Sequence, residues 1–119
     1  MSPPHRLPRL QRLTALAPLT ERRVLGMMSG TSQDGLDLAL CRLRGTGTAT
    51  ELTLEHTASV PFDKAVRARL RALVSVEQAP LAELTVLHAW FGALQGTVAR
   101  EALAGWGVDP ATVHLLVAH

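Results

Sequence analysis

The chain has a single cysteine, Cys41, which excludes an internal disulfide. One cysteine with five scattered histidines does not make a structural zinc site either. No apolar run approaches the roughly 18–20 residues that a membrane-spanning helix needs, so an integral helical membrane protein is excluded. Lysine is scarce: of the 12 basic residues all but Lys64 are arginine, a compositional habit rather than phosphate recognition. The formal charge is only +2 and is unevenly spread. Residues 1–23 carry five arginines against Glu21, a local +4, whereas the remaining 96 residues hold seven basic and nine acidic groups, a local −2. A nucleic-acid domain carries its basic charge on the folded body, and this body is mildly acidic, so no nucleic-acid partner is expected. Binding through the basic leader alone would be steeply salt-dependent. What is present is a globular composition: 119 residues, 47% hydrophobic and 18% charged, enough for one small domain with a real core.

Residues 1–21 contain Pro3, Pro4, Pro8 and Pro18 among leucines and arginines. The prolines bar a long regular helix, and residues 1–22 read as a flexible basic leader. The stretch is Arg-rich like a transit peptide, yet poor in serine and broken by proline, and it lacks the apolar segment of a secretory signal. From Arg22 the texture changes. Residues 23–28 form an apolar run that ends in Ser-Gly-Thr-Ser, a buried strand entering a glycine-bearing turn. Residues 36–44 read as a second strand, with Leu36, Leu38, Leu40 and Arg42 on one side and Asp37, Ala39, Cys41 and Leu43 on the other. Residues 45–48, Gly-Thr-Gly-Thr, make a turn, and residues 50–62 a third strand whose apolar set is Leu52, Leu54 and Val60.

The period then switches. Val66, Leu70, Leu73 and Val74 are spaced for an amphipathic helix that starts near Asp63. Pro80 opens a longer helix, with Leu84, Leu87, Phe91, Leu94 and Val98 along one stripe, ending at Gly105. Residues 107–110 are a loop, and residues 113–118 a final strand before His119. The order β-β-β-α-α-β predicts an α/β fold, a three-strand meander followed by helices and a further strand, with helices on a face of a mixed sheet. The last strand has no return connection, the pattern expected of a fragment.

The informative stretch is residues 26–37, a turn between two strands loaded with glycines, hydroxyls and two carboxylates. Glycine lets backbone N–H groups approach a phosphate, and successive N–H groups in such a turn form an anion-binding nest. Thr31 and Ser32 add hydroxyl donors. Asp34 and Asp37 cannot bind phosphate directly but can hold Mg²⁺ or its waters, which bridge nucleotide phosphates. The same residue types also make an ordinary hairpin turn, and on chemistry alone both readings stand. The stretch is neither a Walker loop, since no Gly-Lys-Ser/Thr occurs, nor a Gly-x-Gly-x-x-Gly turn opening a helix.

Met28-Ser29-Gly30-Thr31-Ser32-Gln33-Asp34-Gly35-Leu36-Asp37 resembles the MSGTSxDGxD signature near the start of anhydro-N-acetylmuramic acid kinases. Those enzymes belong to the sugar kinase, actin and Hsp70 superfamily, whose domains begin β-β-β-α-β-α. Leu116-Val117-Ala118-His119 resembles the start of a second family stretch, a strand leading into His-Gly-Gln-Thr. The resemblance covers roughly residues 24–119, about the first third of a family member. It implies an actin-like, ribonuclease H-like ATPase domain, of which residues 23–119 would be an incomplete N-terminal portion. It further implies an enzyme that uses ATP and Mg²⁺ to phosphorylate the 6-oxygen of 1,6-anhydro-N-acetylmuramic acid while water opens the anhydro ring. The product is N-acetylmuramic acid 6-phosphate, in cytoplasmic recycling of peptidoglycan sugars.

On this resemblance Gly30, Thr31, Ser32, Gln33, Asp34, Gly35, Leu36 and Asp37 match the family's ATP-binding segment, and His119 matches a histidine near the sugar site. The family's catalytic aspartate lies beyond His119, so no catalytic residue is assigned here and the chain alone is expected to be silent. Many superfamily relatives carry an Asp-x-Gly-Thr turn. Met28 stands in place of that Asp, which shifts metal positioning to Asp34 or Asp37. The implied partners are ATP and the anhydro sugar, with no nucleic acid and no membrane. Homodimers are common in the family, with no visible determinant in this sequence. The alternative is a short, non-catalytic binding module that has kept the fold.

Other residues read as structural. His88, beside Trp90 and Phe91, is expected to be a packed or half-exposed structural histidine rather than a ligand, and the two aromatics are expected to pack. Arg67 and Arg71 share a solvated helix face. Cys41 is expected to be a buried small apolar residue, and His119 to be frayed.

Overall fold

Alternation of apolar and polar residues carries the first half of the chain into extended structure, and the three-four spacing of the second half carries it into helices. The computed structural model describes residues 9–30, 32–74 and 76–119. A short helix α1 (Arg9–Leu16) precedes an antiparallel meander of β1 (Glu21–Met28), β2 (Gly35–Arg44) and β3 (Glu51–Pro61). Helices α2 (Lys64–Leu73) and α3 (Leu81–Gly105) follow, and β4 (Leu115–Ala118) returns to pair parallel with β1. The sheet order is β3-β2-β1-β4, which gives the mixed α/β class predicted from the element order. Among the described residues no helix is long and apolar enough to cross a membrane.

The core lies between one sheet face and the two longer helices. Leu36, Leu38 and Leu40 alternate inward from β2 and meet Leu25 and Met27 of β1, and Leu25, Leu36 and Leu40 retain no exposed surface. Leu70 of α2 and Leu87, Val98, Ala99 and Leu103 of α3 close over them, while Phe62 stands edge-on to Phe91 at 6.0 Å. Truncating a buried leucine of this kind costs about 2–5 kcal/mol.

Local chemistry sets the helix ends. The Asp63 carboxylate accepts a hydrogen bond from the Val66 amide at 2.8 Å and starts α2. Helix α3 runs to Gly105, but the left-handed residue that stops it is Gly107, φ 68. There the Val108 amide donates to the Leu103 carbonyl at 2.9 Å and the Gly107 amide to Ala104 at 3.1 Å, with Val108 and Leu103 both buried.

The leader differs from expectation. Eight residues between Pro8 and Pro18 form α1, and Arg22 satisfies its open end. The Arg22 guanidinium donates to the Leu16 carbonyl at 2.9 Å, to Ala17 at 2.8 Å and, across to the β2–β3 turn, to Gly45 at 3.1 Å. The prolines limit this helix rather than preclude it; residues 1–8 lie outside the described residues.

Strand β3 also departs from the expected alternation. Leu40 pairs with His56 but Cys41 with Leu54, so Glu55 is an extra residue, a β-bulge. Beyond it the two faces exchange. Leu52 and Leu54, grouped by the sequence pattern with Val60, point away from the helices and are 63% and 56% exposed, while His56 turns inward and stacks on Trp106 at 5.1 Å. The bulge delivers the Glu55 carboxylate to Arg23 at 2.6 Å and Arg42 at 2.9 Å. Arg42 also meets Glu21 at 2.7 Å, and Glu21 meets Arg44 at 2.8 Å, so a ladder of alternating charge occupies the sheet beyond the apolar core. The opposite sheet face stays open, which leaves Cys41 half-buried rather than buried.

Two outcomes follow. Hydrogen bonds from Arg23 and then Arg42 hold the Glu55 carboxyl down at about 2, from an ordinary 4.5. A depressed carboxylate contributes stability that is complete above 4.5 and lost as pH falls from there through about 2. The urea midpoint of the native chain should therefore fall more steeply over that window than that of Glu55→Gln, and parallel slopes would contradict the ladder. Separately, a Cβ on Gly35 would lie 2.7 Å from the Val60 carbonyl oxygen. Gly35→Ala should lower the unfolding free energy by roughly 1–3 kcal/mol in chemical denaturation. A change within about 0.5 kcal/mol, the range of an ordinary surface substitution, would show that the β2–β3 ladder gives way.

Candidate functional site

The loop between β1 and β2 sits at the end of the sheet where β1 and β4 stop side by side. The Ser29 amide donates to the His119 carbonyl at 2.9 Å, and the His119 amide to the Met27 carbonyl at 2.9 Å. Two segments that the sequence separates by some ninety residues are thereby stitched together. His119, expected to fray, is held by backbone hydrogen bonds on both of its polar groups.

Within the loop the Gln33 amide returns to the Gly30 carbonyl at 3.1 Å, closing a tight turn. Gln33 adopts φ 56, the left-handed region that a residue with a Cβ rarely occupies. Holding it there costs about 1–3 kcal/mol, which the surrounding turn must sustain. The far end is fastened by the Phe62 amide, which donates to the Asp34 carbonyl at 2.8 Å. The glycines act differently: Gly35 is imposed by the close backbone of β3, whereas a Cβ on Gly30 would meet nothing nearer than the Ser32 hydroxyl at 3.9 Å. The Gly30 backbone is therefore open to approach from outside. The Ser29 and Gln33 amides are taken up inside the protein, which narrows the expected nest. Ser32 is exposed, Leu36 is wholly core, and Thr31 lies outside the described residues.

The two aspartates are not brought together. Asp34 stands beside α2, its carboxylate 3.5 Å from the Arg71 guanidinium and both side chains 61% exposed. Asp37, between the inward Leu36 and Leu38, faces the open side of the sheet and accepts a hydrogen bond from the Ser59 hydroxyl at 2.6 Å. Among the described residues no three His, Cys, Asp or Glu side chains converge as a metal cage. A lone exposed carboxylate beside a glycine turn nevertheless suits Mg²⁺, which keeps several waters and takes one or two carboxylates plus substrate phosphates. Asp34 fits that role better than Asp37, which lies on the other face.

Beneath the loop opens a cavity of about 910 Å³. Ser29, Gly30, Gln33 and His119 line one side, and the end of α2 with the first half of α3 lines the other. Its hydrocarbon comes from Leu70, Val74, Leu84, Leu87 and Phe91, with Thr85, His88 and Gln95 as polar groups on α3. None of these described lining residues is a carboxylate. His88, expected to be packed or half-exposed, is thus an exposed residue that lines the cavity. The signal was in its spacing, one turn from both Leu84 and Phe91 and two turns from Gln95. Trp90, on another side of α3, does pack, beneath the Arg69 guanidinium at 4.2 Å.

Comparison with known proteins bears on both segments. Residues 22–119 match the family described as Anhydro-N-acetylmuramic acid kinase. A curated relative of that name from Pseudoalteromonas atlantica is 32% identical over 110 residues, 92% of this chain and 27% of its own length. One from Salinibacter ruber is 33% identical over 107 residues, 90% of this chain and 27% of its own. One from Bacillus thuringiensis is 39% identical over 54 residues, 45% of this chain and 14% of its own. The chain spans about 27% of the length of the first two relatives. With the match running through the β1–β2 loop and β4 alike, the chain belongs to the anhydro-N-acetylmuramic acid kinase family.

Proposed function

We propose that this chain carries the nucleotide phosphate-binding loop of a kinase that moves a phosphoryl group from ATP to the 6-oxygen of 1,6-anhydro-N-acetylmuramic acid. Water opens the anhydro ring in the same reaction, giving N-acetylmuramic acid 6-phosphate. The supporting observation is the junction of the two motif segments, Ser29 to His119 at 2.9 Å, at the mouth of a cavity large enough for a substrate.

The loop's residues divide the work. Gly30 admits a phosphate close to the backbone, Ser29, Thr31 and Ser32 offer hydroxyl donors, and strained Gln33 holds the turn in shape. Asp34 would hold magnesium through one oxygen or a bound water, and the ion when bound offsets charge on the transferred phosphoryl. Arg71, now 3.5 Å from Asp34, would be freed to face the nucleotide's anionic groups. In the overall balance water's oxygen joins C1, the bond from C1 to O6 breaks, and O6 takes the phosphoryl as ADP leaves. The proton from water needs a base, and no described cavity residue is a carboxylate. That carboxylate belongs to the length of the relatives that this chain does not span, so residues 23–119 act as the N-terminal portion of an actin-like, ribonuclease H-like domain. The reading places the protein in the cytoplasm, with ATP and the sugar as its small-molecule partners.

Calorimetric titration of the chain with Mg-ATP tests this. Mg-ATP should bind, and Asp34→Asn should weaken it about tenfold or more, equivalent to roughly 1.4 kcal/mol. Thermal unfolding should hardly move, because an exposed ion pair such as Asp34–Arg71 is worth about 1 kcal/mol at most. An Asp34→Asn variant with unchanged Mg²⁺ dependence would overturn the metal assignment. Absence of nucleotide binding in the folded chain would favour the non-catalytic module.

A further inference from the structure

Two apolar surfaces of this chain lie uncovered at the same end of the sheet. One is the open sheet face. The strand registers set Arg22, Leu43 and Leu52 in one row across it, and Val24, Cys41 and Leu54 in the next. Helices α2 and α3 pack against the other face, over Leu25, Leu36 and Leu40, and leave Leu52 and Leu54 more than half exposed. The second surface is α1, whose Leu10 and Leu13 lie one turn apart on one side and are 72% and 53% exposed.

Arg22 joins the two. Alternation with the inward Leu25 and Met27 puts its side chain on the open side of β1. From there it holds the Leu16 and Ala17 carbonyls and, on the β2–β3 turn, the Gly45 carbonyl. The C-terminal end of α1 is therefore fixed beside the row of Leu43 and Leu52, and residues 17–20 lead straight into β1. A helix joined to a strand by so short a connection buries its apolar side by folding back over the sheet. The lengths agree. The eight residues of α1 span about 12 Å. Starting at Leu43 and Leu52, that covers Cys41 and Leu54 and approaches Ala39 and Thr57, two steps of about 7 Å away. The other face offers no such seat at this end, because Arg23, Arg42 and Arg44 fill it with charge alongside Glu21 and Glu55.

We infer that α1 is a strap that closes on the open sheet face, turning about Arg22, with Leu10 and Leu13 seated on Leu43, Leu52 and Leu54 and with Cys41 beneath it. Closure takes leucines of both surfaces out of water together, and gives a helix too short to persist alone a face to fold against. Helix α1 precedes residues 22–119, which match the kinase family, so the strap is additional to the kinase fold. It closes at the end of the sheet away from the phosphate loop.

Cys41 is the only thiol, so its reaction with an aromatic disulfide reagent reports whether the face is covered. In the full chain at low micromolar concentration it should react about tenfold more slowly than in Leu10→Glu/Leu13→Glu, whose carboxylates cannot be seated on leucine. Leu10→Met/Leu13→Met keeps the hydrocarbon and should keep the protection, whereas Arg22→Ala frees the pivot and should lose it. Nuclear Overhauser contacts from the Leu10 or Leu13 methyl groups to those of Leu52 or Leu54 should appear in the unaltered chain, which decides the matter should a variant misfold. Equal thiol rates in the unaltered and glutamate chains, or absence of those methyl contacts, would each overturn the strap. So would protection that rises with protein concentration, which would mean that a second copy covers the face.

Discussion

The parallel pairing of residues 24–27 with residues 115–118 is the constraint on which the rest of the molecule depends. Strands paired in this sense cannot be joined by a tight turn, so the intervening chain must cross over the sheet. Helices α2 and α3 make that crossing, and their inward stripes cover the face that β1 and β2 present. The same pairing brings the His119 backbone against Ser29 and so builds the mouth of the cavity. A slip of one residue would turn Leu115 and Val117 toward the helices in place of Leu116 and Ala118 and carry His119 out of line with the loop. Core and site therefore share one register.

Much of this was legible because local rules agreed with the fold. The alternation of Leu36, Leu38 and Leu40 gave the buried face of β2, Asp63 announced α2, and Pro80 and Gly105 bounded α3. The loop at residues 29–35 was recognisable from its glycines and hydroxyls. What escaped depended on partners far along the chain. Helix α1 persists because Arg22 caps it from β1, and nothing near the helix itself advertises that. The Glu55 bulge answers Arg23 and Arg42, which lie on two other strands. His88 shared a stripe with Leu84 and Phe91, but its aromatic neighbours Trp90 and Phe91 suggested packing. The cavity wall opposite the loop comes from residues 70–95, so the loop alone could not reveal what faces it.

The site and the charge ladder occupy opposite ends of the same sheet face, and the core lies between them. At one end hydrocarbon and exposed polar groups leave a cavity for a ligand; at the other, three arginines and two glutamates satisfy one another. The ladder anchors β3 and the β4 approach, where Arg23 also donates to the Thr112 hydroxyl at 2.7 Å and His114 accepts from the Arg23 amide at 2.9 Å. Polar cross-links thus brace the strand ends farthest from the loop, where the apolar core no longer reaches.

The single added residue at Glu55 gives β3 a phase change halfway along its length. Deleting it would join Leu54 directly to His56 and leave the ladder regular, with Leu52 and Leu54 still opposite Leu43 and Cys41 on the open side, so that what is lost is the carboxylate that Arg23 and Arg42 share. Loss of a residue at this point therefore leaves inside and outside as they are and costs the charge ladder its centre, whereas loss of Thr53 would bring Leu52 opposite Arg42, on the side of the helices.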